Sequence, residues 1–233
     1  MKFKITESFL TEHTVLIHDE LNPVLWDGME LRPEVKDKIL AIVEEFQSTL
    51  DIPLDILDIN LVGSNASYNY TDKSDVDVHI VTDFEEYGYP MELVNAAMQA
   101  FKKVFNDTYD INFDGYNVEL YVEDVNTSPN SNGIYSVLND TWIKVPAKLE
   151  PVEIELEPEY SDFCNRIDAI AENGTGQDVV DMMNELKMLR RNSLAVDGEF
   201  GKGNLIFKQL RNNDYIAKLK DRKIVLASEE LSI

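Results

Sequence analysis

The chain has 233 residues, 44% of them hydrophobic, with 44 acidic against 21 basic side chains and a formal charge of −23. That is enough apolar material for one sizeable domain with an appendage or for two small ones, and no run approaches the roughly 18 apolar residues that cross a bilayer. The start, MKFKITESFLTEH, lacks the apolar centre of a signal peptide, so a cytoplasmic protein with no membrane partner is expected, and the single cysteine, Cys164, excludes an internal disulfide and reads as a small buried residue beside Phe163.

After an irregular amphipathic start that ends in the turn-like LNPVLWDG, the stretch RPEVKDKILAIVEEFQSTL repeats Val35, Ile39, Ile42, Val43, Phe46 and Leu50 at helical spacing, with Pro33 and Glu34 in a first turn. DILDINLV ends at Gly63 and VDVHIV begins beside Asp75; both are branched apolar runs that predict strands of one sheet. PMELVNAAMQAFKKVFND brings Met91, Val94, Met98, Phe101 and Phe105 to one helical face. YDINF, the turn pair Asp114 and Gly115, and NVELYVED predict a hairpin or two strands. NTSPNSNG reads as a loop, GIYSVLNDTWIKVP as one or two further strands, and PVEIELEPEY as an acidic connector broken by Pro151 and Pro158. From there SDFCNRIDAIAEN, QDVVDMMNELKMLRRNSLA, GNLIFKQLRN and DYIAKLKDRK carry helical patterns parted by Gly-containing joints. The expected fold class is α/β in the broad, α+β sense: a body over residues 1–147 with a mixed sheet flanked by helices, and a C-terminal helical region over 148–233.

The charge is unevenly spread. Between Lys187 and Lys223 ten Lys or Arg face four Asp or Glu, about +6, which leaves about −29 for the remainder. An acidic body repels a nucleic-acid backbone, whereas this basic stretch could face nucleotide or RNA phosphates. It could equally complement the acidic body or solvate helix faces, the commoner use of such cations.

The densest chemistry lies in GSNASYNYTDKSDVDVHIVTD, residues 63–83. On a strand, alternate residues share a face, so Asp75, Asp77 and His79 point one way and Val76, Val78 and Ile80 the other. Neighbouring carboxylates repel unless one is protonated or a cation holds them, and paired hard oxygens suit Mg²⁺ or Mn²⁺ bridged to phosphate. Glu119, set between Val118 and Leu120, is a third acid of this kind, although Asp114, Glu123 and Asp124 lie nearby. Gly63 allows close backbone approach and Ser64 offers a hydroxyl and amides to an anion; NASY could begin a short helix with its amides aimed at the same place.

An apolar strand, Gly63-Ser64, ten residues, Ser74-Asp75-Val76-Asp77, a second apolar strand and a later stranded acid resemble the DNA polymerase beta-like nucleotidyltransferase superfamily. The resemblance covers about Leu31 to Val125. It implies a nucleotidyltransferase-type sheet and transfer of a nucleoside monophosphate from an NTP to an acceptor hydroxyl with release of pyrophosphate. It also implies Asp75, Asp77 and Glu119 as catalytic metal ligands for Mg²⁺ or Mn²⁺, and Gly63 and Ser64, with Ser74 and His79, at the nucleotide. Minimal members often read Gly-Ser-Arg-x-Arg-Gly where this chain reads Gly-Ser-Asn-Ala-Ser-Tyr, so the arginines that assist the phosphates are absent. Tyr68, His79, VELYV and GIYSVLNDTW are similar to nucleotidyltransferase-like proteins of tailed bacteriophages, which implies a viral origin and a host cytoplasm.

His79 is a candidate contact to phosphate, metal or acceptor, although a lone strand histidine is more often a satisfied polar residue at a core edge. Tyr68, Tyr70 and Tyr121 either stack on a base or pack, and Tyr135, Ser136 and Trp142 are equally open. Two functions follow: a metal-dependent transferase whose acceptor is an RNA end, a protein hydroxyl or a cationic small molecule, or a fold kept as a nucleotide-binding or interaction module, for example a viral factor engaging a host protein.

Overall fold

The computed structural model describes residues 17–127, 129–148 and 154–232. Residues 1–16 of the irregular start fall outside them, as do residues 151–153 of the acidic connector. The chain divides into two compact units, Leu16–Pro151 and one that includes Val152–Ile233. No helix among the described residues is long and apolar enough to cross a membrane.

In the first unit the LNPVLWDGMEL region, read from sequence only as a turn, forms a small hairpin of β1 (Trp26–Asp27) and β2 (Glu30–Leu31). Gly28, at φ +60, supplies its left-handed corner. Helix α1 (Pro33–Ser48) follows, then β3 (Asp58–Val62), β4 (Val76–Thr82), α2 (Met91–Thr108), β5 (Asn112–Phe113), β6 (Tyr116–Asp124), β7 (Ile134–Ser136) and β8 (Thr141–Lys144). The last six strands make one mixed sheet in the order β5-β6-β4-β3-β7-β8, with β4 and β6 parallel and every other neighbouring pair antiparallel. Parallel neighbours need a crossover, and α2 provides it.

Alternation along the central strands decides which face of the sheet is covered. Val76, Val78, Ile80, Leu120 and Val122 are buried, whereas Asp77, His79, Glu119, Tyr121 and Glu123 between them are only half-buried. The apolar side packs with Val35, Ile39, Val43 and Phe46 of α1 and Val94, Met98 and Phe105 of α2 in one core. Phe46 meets Phe105 edge-on at 5.3 Å. Since β5 pairs with β6 only at Tyr116 and Asn117, the backbone of Leu120 lies at an open edge, and Asn106 of α2 closes it. Its side chain donates to the Leu120 carbonyl at 3.0 Å and accepts from the Leu120 amide at 3.1 Å. The polar face, left uncovered by α1, carries Asp77, Glu119 and Glu123, whereas Asp124 alternates onto the buried side with Leu120 and Val122.

The second unit is helical: α3 (Glu159–Asn173), α4 (Gly176–Asp197), α5 (Lys202–Asn212) and α6 (Tyr215–Glu230). Ile167, Met182, Leu186, Ile206, Leu210 and Leu219 fill its core. Leu156, from the acidic connector, is buried in the same core, so that segment ends as packed structure. Cys164 is buried and free. Several cations of the basic stretch are engaged within the unit: Lys202 with Glu159 at 3.0 Å, Lys218 with Asp168 at 2.5 Å, and Arg222 with the Gly174 carbonyl at 2.9 Å. Lys187, Arg191, Lys220 and Lys223 are exposed.

Asn65 ties the loop before β4 to the hairpin. Buried at 2% exposure, it accepts from Asn22 Nδ2 at 2.8 Å and donates to the Asp75 carbonyl at 2.9 Å, while its own carbonyl takes the Trp26 indole N–H at 2.8 Å. Asn65→Ala strands the Asn22 amide and the Asp75 carbonyl, for an expected loss of about 2–4 kcal/mol. Both tryptophans, Trp26 and Trp142, lie in this unit, so urea unfolding followed by Trp fluorescence reads it alone. An unchanged midpoint would show that the loop is held by other contacts.

Candidate active site on the open sheet face

Strand β3 ends at Val62, and the chain must turn sharply to return as β4. Gly63 makes that turn at φ +76 and ψ −161. A Cβ built there would stand 2.1 Å from Asp77 Oδ2, so the carboxylate of Asp77 leans directly on the turn and no side chain fits between them. Asp77 is the register partner of Val62 on one side and of Glu119 on the other. Neighbouring strands lie about 4.8 Å apart, so Gly63, Asp77 and Glu119 form a row across the end of the sheet. Asp75 precedes β4 by one residue, with its carbonyl fixed by Asn65.

The loop after Gly63 differs in detail from its expected form. Residues Ser64–Ala66 make a single 3-10 turn, closed by Ser67 N–H donating to the Ser64 carbonyl at 3.1 Å, in place of a longer helix with free amides. Gly63 N–H donates to Ser131 Oγ at 2.9 Å. Ser64 Oγ donates to Ser74 Oγ at 2.9 Å, and Ser74 Oγ also takes the Thr71 amide at 2.9 Å, which gives Ser74 a buried, loop-bracing position behind Ser64. Lys144 Nζ donates to the Ser131 carbonyl at 2.5 Å, placing a lysine one residue removed from the Gly63 contact.

Around the acids stand two more residues: Tyr121, which the sequence left open between stacking and packing, and Lys102, which it did not single out. Tyr121 O–H donates to Glu119 Oε2 at 2.5 Å, and Lys102 Nζ sits 3.5 Å from the centroid of the Tyr121 ring. Burial first, then the Glu119 bond and the charges of Glu119, Asp77 and Asp75, push the Tyr121 hydroxyl far above the ordinary phenol range, so it stays a donor. Burial lowers Lys102 from the usual lysine value, while Glu119 and Asp77 pull it the other way. Lys102 could have been suspected from FKKVF, but on α2 a lysine normally solvates an outer face.

His79, one alternation beyond Asp77, bonds Glu123 Oε2 through Nδ1 at 2.8 Å and lies 4.9 Å from Tyr121, ring to ring. The other acids near Glu119 are used differently. Asp124 is buried; burial alone would raise its pKa, but the Phe84 and Asn126 amides hold it below the ordinary carboxylate value. Asp114 occupies the β5–β6 corner at φ +50. Tyr70 stacks on His18 at 3.8 Å, Tyr68 packs against the core, and Tyr135 and Trp142 flank Trp26 at 5.0 and 4.8 Å, so these aromatics are packing residues. Ser136 donates to Asp58 Oδ1 at 2.8 Å.

The donors suit a hard divalent cation in kind and in register, with Asp77 against a glycine cradle, Glu119 beside it and Asp75 within two residues. As the side chains stand, no group of three or more His, Cys, Asp or Glu among the described residues is arranged to hold a metal ion, and Glu119 is bonded to Tyr121. Compared with family models and with curated protein sequences, the chain matches none.

If Lys102 offsets the acids, Lys102→Met leaves them to repel. It should lower the Trp-monitored melting midpoint by about 2–4 °C without divalent ions, the shift that ~1 kcal/mol produces in a domain of this size, and enlarge the rise on adding Mg²⁺. An unaltered Mg²⁺ response would remove Lys102 from the site. Gly63→Ala should cost more than Lys102→Met, since it combines a strained positive φ with displacement of Asp77.

Proposed function

We propose that the chain is a divalent-metal-dependent nucleotidyltransferase that moves a nucleoside monophosphate from an NTP to an acceptor hydroxyl and releases pyrophosphate. The observation that carries this reading is the seating of the Asp77 carboxylate against the positive-φ Gly63, with Glu119 in register beside it. On this reading the turn faces phosphate and the two acids face a cation, at one end of the sheet's polar face.

In this reading Asp75, Asp77 and Glu119 hold the metal, with Glu119 leaving Tyr121 to do so. When bound, a divalent ion offsets charge on the attacking hydroxyl and on the departing pyrophosphate. The chain's own part is to position. Ser64, braced by Ser74, presents the turn to the β and γ phosphates. Tyr121, held protonated, keeps its hydroxyl as a donor toward whatever oxygen replaces that of Glu119. Lys102 and Lys144 are the cations of this unit that stand beside the acids and beside the turn, and they take the part of the arginines missing from the Gly-Ser-Asn-Ala-Ser-Tyr sequence.

One observation favours a second reading. Glu119 is bonded to Tyr121 within the chain, and Lys102 lies in the field of Glu119 and Asp77, so part of the acidic charge is already offset without any ligand. A nucleotide-binding or interaction module of the same fold would need no more than that. Pyrophosphate release from each of the four NTPs with Mg²⁺ or Mn²⁺, compared with Asp75→Ala/Asp77→Ala, separates the two. The transferase should release pyrophosphate with at least one NTP, and the double variant should lose about a hundredfold or more, as removal of groups serving the transition state typically does. Equal signal from both proteins would refute the enzymatic reading.

A further inference from the structure

A pocket of about 480 Å³ opens on the same sheet face, toward the far ends of β4 and β6 from Asp77. His79, Tyr121 and Glu123 form part of its floor, and Glu92, Asn95 and Gln99 of α2 form a wall. Its size suits a compact ligand of one or two rings and is too small for a folded partner.

Two features tie this pocket to the acid row. Tyr121 is a shared wall: its ring lines the pocket while its hydroxyl bonds Glu119. On α2, residues 92, 95, 99 and 102 recur at three- and four-residue spacing and so lie along one stripe, which runs from the pocket wall to Lys102 over Tyr121. A ligand in the pocket would therefore reach toward Asp77 and Glu119 past a single aromatic ring.

The lining also states a charge preference. Three carboxylates, Glu92, Glu123 and Asp124, line the pocket, and among the described residues no lysine or arginine does. Asp124 is held ionised by backbone amides, Glu92 is exposed, and Glu123 is engaged by His79. The surroundings are thus rich in acceptors for a donor-bearing ligand. Asn95 and Gln99 offer amides to hydroxyls, and Tyr121 and Met91 offer apolar faces to a ring. Of the cations, Lys102 lies over the Tyr121 ring, at the boundary between the pocket and the acids, and Lys144 lies by the turn.

We infer that this pocket is the acceptor site, and that its acceptor is a compact hydroxyl compound carrying amino groups, not an RNA end. The inference rests on the transferase reading for the word acceptor, but the ligand class stands on the pocket alone. Phosphates gather at the Gly63 end, the ammonium groups face Glu92 and Glu123, and the hydroxyl to be modified points past Tyr121 toward the acid row. In the transfer that hydroxyl oxygen bonds the α-phosphorus of the NTP, the bond from that phosphorus to the bridging oxygen breaks, pyrophosphate leaves, and the hydroxyl proton passes to solvent or to a carboxylate of the row.

The test uses the full chain and a matched pair of probes: chitosan disaccharide, which carries ammonium groups, and neutral cellobiose, with an RNA trinucleotide as the third ligand. Titration calorimetry should show the diamine binding at least about fivefold tighter than cellobiose, the ratio that one partly exposed ion pair supplies. Glu92→Gln, at an exposed position that leaves folding intact, and Glu123→Gln should each erode that preference. Equal binding of the two disaccharides, no binding of either, tighter binding of the trinucleotide, or a preference untouched by both variants would overturn the inference. Mg²⁺-NTP binding measured on the same samples keeps the two failures apart. Loss of the diamine preference with NTP binding intact sinks only the acceptor class; diamine binding without any NTP response sinks the transferase reading and leaves the cationic ligand standing.

Discussion

The carboxylate of Asp77 occupies the space that any side chain on residue 63 would need. With the hypothetical Cβ 2.1 Å from Oδ2, glycine is the sole residue compatible with both the positive φ and the contact. This one approach links the end of β3 to the start of β4, and through the register of β4 with β6 it sets Glu119 beside the same turn. The loop network around it serves to hold the approach. Ser131 takes the Gly63 amide, Asn65 fixes the Asp75 carbonyl, and Ser74 braces Ser64. None of these bonds is long-lived alone in water, where each contributes on the order of 1 kcal/mol. Around a buried Asn65 they constrain one another.

Packing acids in a row on a chain of charge −23 is costly, and the structure shows how the cost is met without a ligand. A cation over an aromatic ring is stabilised by the ring's negative face, and more so when water is partly excluded. Lys102 over Tyr121 is such a pair, and the Tyr121 hydroxyl carries the effect one bond further to Glu119. Burial works against the charge on Lys102 while Glu119 and Asp77 favour it.

Much of this was legible in the sequence because it is periodic or local. Alternation in VDVHIV and NVELYVED puts Asp77, His79 and Glu119 on a polar face, and the sheet keeps them there. Most apolar positions expected on α1 and α2 are the buried ones observed, but Leu50 and Phe101 are only partly covered and Met91 is exposed. What could not be read depends on distant pairing. Lys102 meets Tyr121 because α2 crosses over β6, Ser131 meets Gly63 across 68 residues, and Lys144 reaches Ser131 from an edge strand. Leu156 looked like connector because acidic neighbours surround it, yet a single leucine suffices to join a helical core. Ser74 matched a motif position, and its hydroxyl turns out to be spent on the loop.

The open face of the sheet is polarised along its strands. At the start of β4 lie the turn and the acid row, with Lys102 and Lys144 close by; the described residues that line the pocket beyond His79 include carboxylates and amides and no lysine or arginine. A face of uniform sign would draw ligands of one charge and exclude the other. This one separates an end suited to phosphate and divalent metal from an end suited to ammonium and hydroxyl groups, with Tyr121 between them. Two ligands of opposite charge would be drawn to opposite ends and brought together at that ring. On the transferase reading proposed above, an anionic donor and a cationic acceptor would meet at that ring, and the alternation of two parallel strands beside a single helix stripe gives the two ends their different linings.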